Sequence, residues 1–258
     1  METDLIAAHR DTITDSLRRR VGPSTAFAPE AGAGTASPVF VVFAQRACPR
    51  AAAAASDLIR TATGGALAPV VLLHKPSDIA TRAADQQWFF YHALRSWRLC
   101  LDKTAVPNWP HDYLPRRDAD GARAFWLKCE AVAAFNISAA AESAHLEVEL
   151  ARIALLHEAA AQVSLGIARV FSGYTASGLG LRHLLAFCSH FTTLPGTVFP
   201  QRTSEEQSLF RRLAAPPSML RHWTRLGAPE AEFERLLEAC RRYLDQAAGL
   251  ASAALEKL

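Results

Sequence analysis

Half of the 258 residues are hydrophobic and 21% are charged, so the chain can bury a sizeable core and is not a disordered polypeptide. A net charge of +3 permits contact with nucleic acid but does not argue for it, since a dedicated binder usually shows a dense basic patch. The five cysteines (Cys48, Cys100, Cys129, Cys188, Cys240) are scattered with no CxxC pair, which excludes a disulfide framework and a zinc site as expectations.

The first twenty residues, METDLIAAHRDTITDSLRRR, lack the apolar core of a signal peptide and read as a helix carrying Leu5, Ile6, Ile13 and Leu17. The arginines at 18–20 then oppose the helix macrodipole; a phosphate or RNA contact is the other reading. Residues 21–37 are rich in Gly, Pro, Ala and Ser and are expected to form a flexible loop. Val39–Phe43 and Val70–Leu73 read as short buried strands with an alanine-rich helix, 51–60, between them, which predicts one small α/β unit with parallel strands. A helix is expected from Ser77 or Asp78 through about Gln86, with Trp88, Phe89, Phe90 and Leu94 as apolar anchors. Residues 103–118 hold three prolines and mark the expected linker between a first domain, 1–102, and a second, 119–258.

Helices are predicted over about 119–144, 147–171, 179–190, 204–214 and 230–256, with Pro216-Pro217 interrupting the fourth. The 147–171 segment has no proline, a single glycine (Gly166) and apolar residues on most of its circumference, as befits the middle of a bundle. At 3.6 residues per turn Glu147, Glu158, Gln162 and Arg169 share one narrow sector, so one seam is expected to face solvent or a site. Gly173 is the expected stop of this helix. No stretch is apolar for long enough to span a bilayer, and a cytoplasmic protein without a membrane partner is expected.

Three groups within this half carry a family resemblance: Leu155-Leu156-His157-Glu158-Ala159-Ala160, then Phe171-Ser172-Gly173-Tyr174, then Leu181 with Leu184-Leu185. Continued without a gap through Phe199-Pro200, Thr203, Glu205-Glu206, Leu209-Phe210 and Arg221, the series resembles the HEPN family, the helical "higher eukaryotes and prokaryotes nucleotide-binding" domains. The likeness covers roughly residues 120–245, and the run is best known from proteins in which a nucleotidyltransferase domain precedes the HEPN domain. It implies a mainly α protein: an antiparallel helical bundle behind a small α/β, nucleotidyltransferase-like remnant. It also implies a nucleotide or RNA as ligand, a homodimer through the helical domain, a protein partner as a further option, and a bacterial defence or toxin–antitoxin setting.

Nucleotidyl transfer needs closely spaced carboxylates to hold magnesium and a Gly-Ser turn for the triphosphate. Ala36-Ser37-Pro38 precede the first strand with no aspartate pair nearby, so neither that activity nor a cofactor is expected. Many HEPN proteins are metal-independent ribonucleases that use an arginine and a histidine four to six residues apart, the histidine moving a proton and the arginine holding the phosphate. Arg221 occupies the arginine position of the resemblance, but the spacing falls on Leu226, Gly227 and Ala228. The adjacent His222 points about 100° away on a regular helix.

Arg221 with His222 is therefore one catalytic candidate, and Arg152 with His157, which does satisfy the spacing, is the alternative. A buried, hydrogen-bonded core histidine is the favoured reading of His157. Arg211, Arg212 and Arg221 are the candidates for phosphate contact, with solvated surface charge as the other account of the first two. His183 and His190 share a helix without further ligands, so no metal site is expected. Trp88-Phe89-Phe90 and Phe125-Trp126 are read as core aromatics before base-stacking ones. The leading expectation is a non-catalytic HEPN-like binder of nucleotide or RNA, the alternatives being an endoribonuclease and a regulatory protein-interaction subunit.

Overall fold

A computed structural model of the chain describes all residues except 1–4, 23, 29–37, 46, 81–83, 97, 100–114, 144–148, 177 and 216–229. The protein is mainly helical with one small sheet. It divides into two compact units, Met1–Arg117 and Asp118–Leu258.

In the first unit the helices α1 (Leu5–Ala8) and α2 (Arg10–Val21) precede β1 (Ser24–Ala28), β2 (Val39–Ala44), α3 (Pro49–Ala62) and β3 (Val70–His74). Then come α4 (Pro76–Ala80), α5 (Ala84–Ser96) and the two-residue β4 (Arg98–Leu99). The sheet order is β3-β2-β1-β4. β2 and β3 run parallel, from Val39 opposite Val70 to Phe43 opposite His74, with α3 as the crossover between them. Every residue of β2 is buried, which is why it reads as an unbroken apolar run instead of an alternating one. Phe40 and Val42 join Ile13, Leu17, Ala55 and Ile59 in one core cluster. On alternate positions Phe43 meets Phe27 and Phe90, at 6.1 and 6.2 Å between ring centres.

The start of α3 is fixed by Pro49 in its first turn and by the Cys48 sulfur, which accepts from the Ala51 amide at 3.3 Å. Ser56 ties the helix to the sheet: its hydroxyl accepts from the Val71 amide at 3.2 Å and donates to the Ala52 carbonyl.

The expectation of a flexible loop over 21–37 is corrected for residues 24–28. Ser24–Ala28 form β1, buried along its length and paired antiparallel with β2 from Ser24 opposite Ala44. Gly22 (φ 78°) turns the chain out of α2 into this strand, so the turn-rich composition marks a tight corner and the pairing partner lies well beyond it in sequence. Residues 29–37, and 103–114 of the expected linker, lie outside the described residues. Phe89 and Phe90 are core, whereas Trp88 stacks on His92 and carries the Arg117 guanidinium 4.8 Å above its ring.

The second unit consists of α6 (Ala119–Glu142), α7 (Glu149–Ser172), α8 (Leu181–Cys188), the short α9 (Leu194–Val198), α10 (Ser204–Leu213) and α11 (Glu230–Leu255). Asp118 caps α6 by accepting from the Gly121 amide at 2.9 Å. α7 is the axis: Leu156, Ala159, Ala160, Val163, Ile167, Ala168 and Val170 are all buried. It packs on α6, α8, α10 and α11. Contacts of Arg152 with Ala140 and of Gly166 with Trp126 show that α6 and α7 run antiparallel.

The stretch Leu150–Ser172 is long and apolar enough to cross a membrane, but most of it is buried inside this helical unit, as the central helix of a bundle is. Of its expected seam, Glu158 is exposed and accepts from the half-buried Gln162 side chain at 2.6 Å, and Glu147 lies outside the described residues. Arg169, in the same sector, is instead buried, donating to the Gly173 carbonyl at 2.7 Å. Gly173 (φ 72°) ends α7 by donating to the Arg169 carbonyl. Ser164 is a structural hydroxyl, bonded to the Ala160 carbonyl and to Tyr243 at 3.1 Å.

Candidate functional site

Arg152 is only 2% exposed, and one of its terminal nitrogens, 3.9 Å from Glu234, has no hydrogen-bond partner. Its Nε donates to the Ala140 carbonyl at 3.0 Å, the other terminal nitrogen donates to both Glu230 oxygens at 3.0 and 3.1 Å, and its guanidinium lies 3.5 Å over the Phe233 ring. His157 is also buried, and its Nδ1 donates to the Leu213 carbonyl at 2.8 Å. Five residues apart, the two side chains project about 140° from one another around α7. One ties α6 to α11 while the other fastens the end of α10. The Arg152–His157 spacing therefore marks two packing devices and not one cleft, and the core reading of His157 holds.

Arg221 and His222 lie outside the described residues. Arg211 is exposed and donates back to the Gln207 carbonyl of its own helix, while Arg212 is half-buried and ion-paired to Glu232 at 3.0 Å. His183 and His190 are half-buried, and among the described residues no three His, Cys, Asp or Glu side chains converge as metal ligands would.

Nor do the interior thiols offer a nucleophile. Burial pushes Cys129 up to about 11 and Cys188 and Cys240 up to about 12, and it raises the Tyr243 hydroxyl well above its ordinary value. Because the folded chain keeps these protons where the unfolded chain loses them, stability is intact below the ordinary thiol range of about 8.5 and falls as the pH climbs toward the raised values. At pH 8, iodoacetamide should modify exposed Cys48 while Cys129, Cys188 and Cys240 stay unmodified until denaturant is added. Peptide mass mapping reads this directly. Rapid alkylation of Cys188 in the native chain would contradict the packing around α7.

A concavity of ligand size lies elsewhere, between α9–α10 and α11. This groove of about 510 Å³ has a floor of Val198, Phe199, Leu209, Phe210, Leu236 and Ala239. Its rim carries Pro200, Glu206, Glu234, Glu238, Arg235 and Arg242. Local sequence builds it. The Leu194–Val198 turn and Phe199 are anchored by the Phe199 ring against Tyr243, 5.1 Å between centres. Thr203 and Glu206 form a capping box that starts α10: the Thr203 hydroxyl accepts from the Glu206 amide at 3.2 Å, and Glu206 accepts from the Thr203 amide at 3.0 Å. That bond and a second from the Arg202 amide hold the Glu206 carboxyl below its usual range, so its charge is committed to the helix end.

Of the two rim cations, Arg235 pairs with Glu205, and Arg242 gives one long bond to the Val198 carbonyl, 3.4 Å. Sequence reasoning did not single out this groove, although Phe199-Pro200, Glu206 and Leu209-Phe210, which line it, belong to the run that carries the HEPN resemblance. No family model, no curated protein and no solved structure matches the chain.

Proposed function

We propose that the chain is a HEPN-like binding protein that takes a single nucleotide in the groove between α9–α10 and α11, without nucleotidyl-transfer chemistry of its own. The observation that carries this reading is the combination of an aromatic, apolar floor (Phe199, Phe210) with two arginines, Arg235 and Arg242, on the rim of a cavity of nucleotide size. The floor suits a base and the guanidinium forks suit a phosphate. Three rim carboxylates against two arginines favour one nucleotide over a long strand, because a polyanion needs a continuous basic track. The first unit, in this reading, is a nucleotidyltransferase-like remnant kept for its packing surface.

Titration calorimetry of the full chain with adenine and guanine mononucleotides tests the proposal. Binding should weaken about tenfold in Arg242→Ala, the loss of roughly one charge-assisted hydrogen bond. Tight, steeply salt-dependent binding of a 20-nucleotide RNA with no mononucleotide affinity would overturn it.

A further inference from the structure

We infer that the groove between α9–α10 and α11 selects guanine over adenine, and that Glu238 is the residue that makes the choice. This rests on the groove being a nucleotide site and adds the identity of the base. The rim carries three carboxylates, and they differ in what already engages them. Glu206 accepts from the Arg202 and Thr203 amides at the start of α10. Glu234 lies 3.9 Å from a terminal nitrogen of buried Arg152. Glu238 is exposed and, among the described residues, makes no hydrogen bond or ion pair. Yet Arg242 stands one turn ahead of it on α11 and Arg235 one turn behind. Both arginines reach elsewhere: Arg235 pairs with Glu205, and Arg242 donates to the Val198 carbonyl of α9. Of the three carboxylates, Glu238 is the one that keeps both oxygens open at the edge of the apolar floor.

The chemistry of the bases decides what such a group takes. An ionised carboxylate only accepts, and its two oxygens match two parallel N–H donors. Guanine offers that pair on one edge, the ring N1–H and the 2-amino group. Adenine sets a lone pair at N1 beside its amino group, so one carboxylate oxygen would meet an acceptor. Cytosine does the same at N3, and uracil flanks its single N–H with two carbonyls. Glu234, one turn from Glu238 and also on the rim, adds negative charge and disfavours an acceptor-bearing edge further. The phosphate falls to Arg242, whose head lies at the α9 end of the groove, away from the carboxylate that meets the base. One bidentate pair of this kind discriminates between bases by about 10- to 100-fold.

Titration calorimetry of the full chain with the 5′-monophosphates of guanosine, inosine and adenosine tests this. GMP should bind at least about tenfold more tightly than AMP. IMP, which keeps the N1–H and lacks the 2-amino group, should fall between them. Glu238→Gln, close in volume and at an exposed position, should fold as the parent does and lose most of the difference between GMP and AMP, since an amide presents one acceptor and one donor. Arg242→Ala should weaken all three by the same factor, because the phosphate is common to them. Equal binding of GMP and AMP by the parent chain, or a guanine preference that survives Glu238→Gln, overturns the inference and leaves the groove a nucleotide site. Failure of every mononucleotide to bind overturns both.

Discussion

Replacing Arg152 by alanine is expected to destabilise the chain by about 3 kcal/mol, with the helical unit unfolding roughly 6–12 °C earlier. The side chain is fully packed, so its removal leaves a cavity against the Phe233 ring and strips the Ala140 carbonyl of its donor. Glu230 contributes less to the loss, because its side chain is 57% exposed and can rehydrate once its partner is gone. Lysine should recover little, since one ammonium cannot reproduce a fork that spans a carbonyl and a carboxylate while lying flat on an aromatic face. Chemical denaturation followed by circular dichroism measures the effect. An arginine held in place for catalysis commonly gives a neutral or stabilising change when truncated, so a shift below about 0.5 kcal/mol would return Arg152 to the list of functional groups.

Gly166→Ala should cost about 2 kcal/mol, although alanine is ordinarily the better helix former by about 1 kcal/mol. A methyl group built there would meet Trp126 at 2.5 Å from Cε3 and 2.9 Å from Cζ3, with the Cys129 Cβ at 3.3 Å. The glycine exists so that the Trp126 ring can lie directly on the α7 backbone. Relief should come from the other side of the contact: Gly166→Ala combined with Trp126→Leu should be less destabilised than the two single effects added. Simple additivity, or a stabilising Gly166→Ala, would show that α6 and α7 are not in that register.

What could be read from the residues alone was whatever depends on local pattern. The apolar circumference of 147–171 identified the axis of the bundle, and the helix expected over about 204–214 is α10, Ser204–Leu213. What could not be read depends on partners far along the chain. The Arg152–His157 spacing resembles a catalytic pair until Glu230 and Leu213, 78 and 56 residues away, are seen to hold the two side chains. Arg169 falls in the open sector of α7 by angle, yet the turn at Gly173 folds back to bury it. β1 was hidden for a related reason: Ser24–Ala28 lie in turn-rich surroundings, and a strand earns its identity from its neighbour, here β2. The groove went unnoticed because its floor is shared between α9–α10 and α11, elements that no local periodicity connects.

The most direct test of the functional account is amide hydrogen exchange of the full chain with and without a saturating mononucleotide, read by mass spectrometry. Added protection in peptides covering 198–210 and 234–242, lost in Arg242→Ala, is the predicted result. Protection confined to other segments, or exchange unchanged at millimolar nucleotide, would contradict it.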